Sequence, residues 1–387
     1  AIGCIAGCIS AGRISGRKGR RSALRIAAVI FAISSVSMGL ASSLTYFNIS
    51  RFFAGVAVGM ASVLSPMYIA EISPADVRGR MVSLNQFAIV TGILFTNIIN
   101  YFLGANGDDA WRWMFASGAV PSMLFFAGII ILPESPHWLV QKGQIEKAKK
   151  VLNKIGNASY AEKTLQQIQQ PVSETNKIPF YSIFRPQFIK PVIAGAGLAI
   201  FQQFCGINVV FNYNTTIFES LGFNKNDQLM QTVFTGAVNM AFTFVAMALV
   251  DRIGRKPLMF TGACGLAVLY VFIAQALHAG SIYSSVVLLA AIGVYASTIA
   301  PVTWVLISEI FPGDIREQAT SFSVVCLWTA YFVLTFTFPV LAEVMGDIAN
   351  TFYIYAGICA AGALFIHYKI SETKGIALAD MNKIFRH

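Results

Sequence analysis

Long uncharged segments dominate the pattern of polar and apolar positions along this chain. Eight runs contain no Asp, Glu, Lys or Arg: residues 26–50, 52–70, 81–107, 113–133, 191–218, 228–250, 318–342 and 348–368. A ninth run, 257–308, has room for two helices with a break near Leu277–Tyr283. A helix needs about 20 apolar residues to cross a bilayer. The pattern therefore predicts an all-α polytopic membrane protein with ten complete spans, and residues 1–12 resemble the end of an eleventh.

Composition supports the same class. Of the 387 residues, 56% are hydrophobic and 12% are charged. Soluble chains carry about 25% charged residues, so this chain has too little polar surface to cover several soluble cores. The six cysteines all lie in predicted spans, and although Cys4 and Cys8 share a helix face, no neighbouring His or acid completes a metal site. We expect small apolar packing there rather than a metal.

The net charge of +10 reflects topology. In a soluble protein it would suggest a nucleic-acid partner. Here all but Arg51, Arg112 and Lys225 fall on loops at one side of the predicted membrane. Cytoplasmic loops are enriched in Lys and Arg. We therefore expect no nucleic acid as a partner and a multi-pass protein of the inner or plasma membrane, with the 134–190 segment and the C-terminus in the cytoplasm.

An internal repeat divides the chain. The segment 16–21 resembles 251–256, and the interval from Glu71 to Glu134 equals that from Glu309 to Glu372, 63 residues each. Two homologous halves in the same orientation are the arrangement of parallel-repeat carriers. The predicted divisions are an N-terminal bundle at 1–133, a cytoplasmic linker at 134–190, a C-terminal bundle at 191–370 and a tail at 371–387. By symmetry, roughly 45 residues holding a first helix would precede Ala1.

The linker contains one patterned segment. Ile145, Ala148, Leu152 and Ile155 recur at helical spacing among lysines. This predicts an amphipathic helix. Two interpretations are equally open: a helix lying on the cytoplasmic membrane surface, or a solvated linker helix without membrane contact.

Several motifs together resemble the sugar porters of the major facilitator superfamily, along nearly the whole chain. The most specific combination is Pro133-Glu134-Ser135-Pro136 with Gln202-Gln203-x-x-Gly206-x-Asn208. Further matches are Arg17-x-Gly19-Arg20-Arg21, Pro66-x-Tyr68-x-x-Glu71, Asp251-Arg252-x-Gly254-Arg255 and Glu372-Thr373-Lys374-Gly375. The resemblance implies two six-helix bundles, here without the first helix, and secondary transport of a neutral sugar by alternating access. It implies no enzymatic activity and no cofactor.

The amide cluster is the strongest candidate for the substrate site. Asn and Gln both donate and accept hydrogen bonds without charge, which suits the hydroxyls of a neutral sugar. No regular helix places Gln202, Gln203 and Asn208 on one face, but local unwinding at Gly206 would bring them together. The alternative is that these amides bond to neighbouring helices.

The resemblance implies further contacts. It places sugar contacts at Gln86 and Asn239, which from the sequence alone serve equally well as bonds between helices. Trp304 offers a flat apolar face and a polar N–H. Trp328 is a second aromatic candidate, with core packing as the default. Tyr213 matches a tyrosine of the outer gate, whereas the adjacent Asn212 replaces another.

Charged residues at the cytoplasmic helix ends form a second candidate set. We hypothesise an ion-pair network that closes this side when the carrier faces outward. Its alternative is a set of topology signals, which explains the arginines but not the acids at matched repeat positions. Its members are Arg17, Arg20, Glu71, Arg78, Glu134, Arg252, Arg255, Glu309, Arg316 and Glu372.

Arg51 is the candidate for proton coupling. An intramembrane arginine marks a functional site by default. Proton-linked relatives pair this arginine with an acid in the first helix and have another acid in the sixth span, where this chain has Gly118. Proton symport and facilitated diffusion therefore both stay open, as do a carrier for a non-sugar solute and a non-transporting sugar sensor. The expected partners are a small-molecule sugar, H⁺ in the symport case and the lipid bilayer, and we expect a monomer.

Overall fold

The computed structural model describes residues 1–74, 78–104, 107, 109–169, 180–281, 283–311 and 315–374. Within these ranges the regular elements are helices, with no strand. Contacts group the chain into two units: residues 1–85 with 106–178, and residues 86–105 with 179–387. The first part of helix α4 thus belongs to unit 1 and the rest to unit 2. The divisions predicted from the repeat at 133, 190 and 370 stay a prediction.

In the described ranges, unit 1 contains six membrane helices or parts of them, the fourth only as far as residue 85, and three short linker helices. They are α1 (Ile2–Lys18), α2 (Arg20–Gly39), α3 (Leu44–Ile72), α4 (Arg78–Leu103), α5 (Ala110–Ser117), α6 (Ala119–Ile131), α7 (Pro136–Gln141), α8 (Ile145–Ile155) and α9 (Ala158–Gln169).

Small residues bring α1 against α3 in unit 1. Gly3 lies against the carbonyl of Phe52, and Gly59 lies against the backbone of Cys4, so a side chain at either glycine would collide with backbone. Pairs of small residues spaced by four let membrane helices approach closely. Cys8 is buried in this contact and donates its thiol to the carbonyl of Gly59 at 3.4 Å. The described residues contain no group of His, Cys, Asp and Glu that could hold a metal.

In the described ranges, unit 2 contains the rest of α4, a 3₁₀ turn at Phe180–Phe184 and nine further helices. They are α10 (Pro186–Phe204), α11 (Ile207–Asn212), α12 (Asn214–Ser220), α13 (Lys225–Ile253), α14 (Arg255–His278), α15 (Tyr283–Ser297), α16 (Ile299–Glu309), α17 (Arg316–Val344) and α18 (Ile348–Lys369). The predicted break in the longest run is confirmed, because α14 ends at His278 and α15 begins at Tyr283.

Nine stretches of helix in the described part of the chain are long and apolar enough to cross a membrane. Of the ten complete spans predicted from the sequence, the one at 191–218 is absent from this set. It is divided among α10, α11 and α12, and no single continuous helix covers it. The division begins at Gly206, which also lies at the candidate site.

One helix boundary predicted from the sequence, at Arg51, is wrong. The charge-free runs end on either side of it, which suggested a loop, but the loop lies at residues 40–43 and Arg51 lies within α3. Arg112 likewise lies inside α5. A single arginine interrupts a run of uncharged residues without interrupting a helix, because its long side chain can extend toward a polar boundary.

The linker helices form their own apolar cluster in unit 1. Ala148 and Leu152 of α8 are buried against Leu139 of α7 and against Ala161 and Leu165 of α9. Lys149 on α8 also pairs with Glu162 on α9 at 3.3 Å. The helix predicted at Ile145–Ile155 is therefore present, and its apolar face packs on protein. Because that face is already covered, it is not available to insert into a bilayer.

Candidate sugar site and cytoplasmic helix ends

The helix that carries the amide cluster breaks at Gly206. This residue has φ of +87°, in the left-handed region, between the end of α10 and the start of α11. Glycine adopts that conformation without a steric penalty. A side-chain carbon at Gly206 would also collide with the ring of Tyr355 on α18. The unwinding expected from the sequence is therefore present, at the residue that can tolerate it.

The break brings two of the amides together. Asn208 Nδ2 donates to Gln203 Oε1 at 2.6 Å across the turn. Gln203 is buried, whereas Asn208 is half-buried. Gln202 is buried beside α16, and its Nε2 donates to the carbonyl of Ala300 at 3.4 Å. Its Oε1 accepts no hydrogen bond from the described residues. Buried polar atoms normally have partners, so this acceptor is available to a hydroxyl.

Two further predicted contacts belong to the same unit as these amides: Tyr213, which directly follows α11, and Trp328 on α17. Tyr213 donates its hydroxyl to the carbonyl of Thr335 at 2.8 Å, and its ring lies 4.7 Å from that of Phe338. Trp328 packs edge-on against Tyr331 at 5.5 Å. Its indole N–H is buried and has no acceptor among the described residues. It is therefore a second polar atom without a partner in the same unit.

Trp304 lies on α16, four residues after the Ala300 carbonyl that contacts Gln202. Residues four apart share a helix face. The preceding helix α15 ends at Ser297, so the predicted span is broken at Thr298. The Thr298 side chain occupies the space on α14 that a side chain at position 262 would need, and Gly262 leaves that space free. Trp304 is half-buried. Because of the break at Thr298, it lies on a short helical segment rather than on a continuous span.

Gln86 and Asn239 lie on α4 and α13, which pack against each other within unit 2. Phe87 meets Phe244 at 4.9 Å, and Asn97 Nδ2 donates to the carbonyl of Thr232 at 2.7 Å. Asn239 is buried, and Gln86 is half-buried. All eight predicted sugar contacts therefore belong to unit 2. Direct contact between them is seen for Gln203 and Asn208.

At the helix ends that the charge pattern predicts to be cytoplasmic, the two halves repeat one ion pair. Arg20 pairs with Glu71 at 3.0 Å in unit 1, and Arg255 pairs with Glu309 at 3.3 Å in unit 2. Both pairs are largely shielded from solvent. Each acid also accepts a hydrogen bond from a hydroxyl group, Glu71 from that of Ser135 and Glu309 from that of Thr373.

The other two acids of the predicted network accept hydrogen bonds from backbone N–H groups rather than from arginine side chains. Glu134 accepts from the N–H groups of Arg21 and Ser135, each at 3.0 Å. Glu372 accepts from four N–H groups, those of Arg255, Lys256, Thr373 and Lys374. Burial raises the pKa of Glu372, but the four backbone donors outweigh it and leave that pKa below its ordinary value. Glu134 and Glu372 were expected in ion pairs, and the described structure gives them none.

Glycines make these carboxylate sites. Gly19 and Gly254 occupy matched repeat positions with φ of 94° and 105°. A side-chain carbon at Gly19 would collide with the carboxylate of Glu134, and one at Gly254 would lie 2.8 Å from that of Glu372. The roles of Ser135, Thr373 and these glycines were not predicted from the sequence. The repeat holds the signal, because each hydroxyl residue directly follows a matched acid.

The remaining members of the predicted network differ in position. Arg17 and Arg252 are exposed at helix ends and form no ion pair with a described residue. The side chains of Arg78 and Arg316 lie outside the described part of the structure.

Arg51, the candidate for proton coupling, is exposed and lies over two aromatic rings of unit 1, 5.9 Å from the centroid of Phe47 and 5.8 Å from that of Phe115. Such contacts are worth about 0.5–1 kcal/mol at exposed sites.

Comparisons with known proteins agree with this arrangement. A family model described as "Sugar (and other) transporter" matches residues 1–385. The D-xylose-proton symporter of Escherichia coli strain K12 is 37% identical, over 99% of this chain and 84% of that protein. The major myo-inositol transporter IolT of Bacillus subtilis is also 37% identical, over 100% of this chain and 84% of its own.

A solved structure extends the agreement to the fold. It is described as the major facilitator proton:xylose symporter XylE bound to 6-bromo-6-deoxy-D-glucose, and it matches with a TM-score of 0.85 and 36% identity. The match covers 100% of this chain and 87% of that one. The predicted major facilitator fold is therefore confirmed, as is the predicted resemblance to the sugar porters. The helices place the chain in a membrane as a multi-pass protein.

Proposed function

Because this chain belongs to the sugar transporter family, we propose that it carries a neutral sugar or a related polyol across the membrane by alternating access. The observation that supports this most directly is the amide cluster at the Gly206 break. Gln203 Oε1 accepts a hydrogen bond from Asn208, and Gln202 Oε1 and the Trp328 N–H are buried without a hydrogen-bond partner among the described residues. Uncharged donors and acceptors without partners suit a neutral polyhydroxy substrate.

Relatives narrow the substrate class. The similar proteins are named for D-xylose and for myo-inositol, a pentose and a cyclic polyol. The resemblance to the sugar porters implies an amide at two positions that hold Ile93 and Leu327 in this chain. Fewer amides mean fewer hydroxyl contacts, which favours a small polyol. Gln86, Asn239, Trp304 and Tyr213 are proposed as the remaining contacts.

Sugar counterflow in proteoliposomes tests the proposal without requiring a proton gradient. Radiolabelled xylose, glucose or myo-inositol is added outside vesicles that contain an excess of the same unlabelled compound. We expect accumulation of at least one compound, and its loss in Gln202→Ala. Gln166→Ala is the matched control, because Gln166 is an exposed amide on the linker helix α9. Equal transport by both variants would contradict the assigned site, and no accumulation by the wild type would contradict the proposed substrates.

Coupling and gating are further parts of the proposal. The similar E. coli protein is named as a proton symporter, and Arg51 is the residue of this chain that we assign to coupling. The duplicated pairs Arg20–Glu71 and Arg255–Glu309 are proposed to stabilise the outward-facing state from the cytoplasmic side. The linker and the C-terminus are proposed to be cytoplasmic from the distribution of Lys and Arg. We propose a monomer that binds no nucleic acid and catalyses no chemical reaction.

A further inference from the structure

A chain of hydrogen bonds joins the amide cluster to α17. Asn212, the last residue of α11, donates from Nδ2 to the carbonyl of Asn208 at 2.6 Å. Its Oδ1 accepts from the hydroxyl of Tyr331 on α17 at 2.9 Å. Asn208 in turn donates to Gln203. The Asn212 side chain thus links the candidate sugar contact Asn208 to Tyr331, which lies 119 positions after Asn212 in the chain.

A second bond to α17 lies one turn away and comes from Tyr213, the residue that follows α11. Tyr213 donates to the carbonyl of Thr335, while the Thr335 hydroxyl donates to the carbonyl of Tyr331 at 2.8 Å. Tyr331 also packs edge-on against Trp328. Tyr331 therefore contacts α11 through its hydroxyl and Trp328 through its ring.

The short helix needs such an attachment. α11 contains six residues and follows a left-handed break at Gly206. Isolated helices below about 12–15 residues are marginal, and their stability comes from tertiary contacts. Asn212 is exposed, so its bond to Tyr331 is not held by close packing around it. Ile207, Val209 and Val210 bury the apolar face of α11, and the bond from Tyr331 to Asn212 attaches the exposed end of its last turn to α17.

We propose that Asn212 and Tyr331 are a positioning pair that fixes α11 on α17 and so sets the affinity of the site for its sugar. This inference rests on the proposed function for its link to sugar and on geometry alone for the attachment of α11. Neither residue is required to touch the substrate. Their effect is on the position of Asn208 and, through the Tyr331 ring, of Trp328.

Two measurements test the pair. The first is amide hydrogen exchange of residues 207–212 in the purified protein, without any sugar. The second is the concentration dependence of counterflow. In Tyr331→Phe we expect faster exchange in α11 and a three- to tenfold rise in the half-saturating sugar concentration, the range of about one hydrogen bond. The maximal rate should stay close to that of the wild type, which a general folding defect would lower.

Four further variants sharpen the test. Asn212→Asp keeps the acceptor for Tyr331 and should lie closer to wild type than Asn212→Ala. The double variant Asn212→Ala with Tyr331→Phe should be no worse than the more affected single variant, because both remove one interaction. Thr329→Val is the control, since it removes an exposed hydroxyl of the same helix that bonds only to the carbonyl of Val325.

The outcomes separate the two proposals. Unchanged exchange of α11 in Tyr331→Phe would overturn the positioning pair whatever the substrate. Effects of the two substitutions that multiply would also overturn it. A wild type that shows no counterflow would contradict the proposed function, while hydrogen exchange would still decide whether Tyr331 fixes α11.

Discussion

Among single residues, Gly206 has two separate constraints. Its left-handed conformation costs an L-residue roughly 1–2 kcal/mol, and a side-chain carbon there would meet the Tyr355 ring. We expect Gly206→Ala to lower the melting temperature and to abolish counterflow, because relieving the collision shifts α11 with Asn208. Both are measured on the same purified protein.

Gly222 supplies the control for that prediction. It has a similar φ of +83°, but no atom lies within 4 Å of the position that a side-chain carbon would take. Gly222→Ala therefore has the conformational cost without the collision. If both variants lost transport equally, backbone strain alone would explain the effect and the Tyr355 contact would be irrelevant.

Glu372 predicts a pH dependence of stability. Its pKa is lowered in the folded protein, whereas an unfolded glutamate titrates near about 4.3. The unfolded state therefore binds the proton more readily, so the contribution of Glu372 is present above the unfolded pKa and is lost as the pH falls through the folded one. We expect Glu372→Gln to melt at a lower temperature at neutral pH and to lose less stability on acidification than the wild type.

Glu146 is the matched control for the pH experiment. It is an exposed acid in the first turn of α8 and forms no ion pair with a described residue. Glu146→Gln should follow the wild-type melting curve at each pH. A Glu372→Gln curve parallel to that of the wild type would contradict the assigned role of the four N–H donors.

Chemistry at single positions was only partly predictable. The amides and Gly206 could be found because their types and spacing are informative without a structure. Tyr331 could not, because its partner Asn212 is distant in sequence and neither residue is unusual in a membrane helix. Glu372 was identified, but its partners were not: backbone N–H groups have no signature in a sequence of side chains.

Among the elements, the linker helices make the sharpest prediction. Leu152 is buried in the cluster that joins α7, α8 and α9. Leu-to-Ala substitutions in cores cost about 2–5 kcal/mol. We expect Leu152→Ala to expose the α8–α9 segment to limited proteolysis, whereas Lys150→Ala, on the exposed side of α8, leaves it protected. Equal cleavage of both variants would show that the cluster does not hold the segment together.

The duplicated ion pairs predict a change in transport kinetics rather than in stability alone. Glu309 accepts from Arg255 and from Thr373 within unit 2. We expect Glu309→Gln to slow exchange, because the pair stabilises one state of the cycle differentially. Glu219→Gln, an exposed acid at the end of α12, is the control. Wild-type exchange kinetics in Glu309→Gln would remove the gating role.

Element boundaries show where sequence patterns lose information. The break between α14 and α15 was found because polar and small residues cluster there, but the loop before α3 was misplaced at Arg51. Charge-free runs measure composition, and helix ends are set by backbone geometry. The break at Thr298 had no signal in the charge pattern, because the span around it is uniformly uncharged.

For the whole molecule, the sequence repeat is also a repeat of contacts. The Arg20–Glu71–Ser135 and Arg255–Glu309–Thr373 sets use equivalent residues in the two units. The candidate sugar contacts are distributed unevenly over the repeat, since seven of the eight lie in the second half and Gln86 lies in the first. The repeat therefore preserves the ion pairs at matched helix ends of both halves, while most of the candidate recognition residues lie in the second half.

Proton coupling is a property of the whole transport cycle, and we expect it to be lost when Arg51 is substituted. With an inward proton gradient, the wild type should accumulate sugar above its external concentration. Arg51→Gln should lose that accumulation and retain counterflow, because an intramembrane charge at a coupling site affects the driving force rather than sugar binding. Arg112→Gln is a close control, since Arg112 stacks on Trp111 in the same aromatic cluster as Phe47 and Phe115. Uphill accumulation by Arg51→Gln at the wild-type level would exclude Arg51 from coupling, and a wild type that never exceeds equilibrium would identify a facilitator.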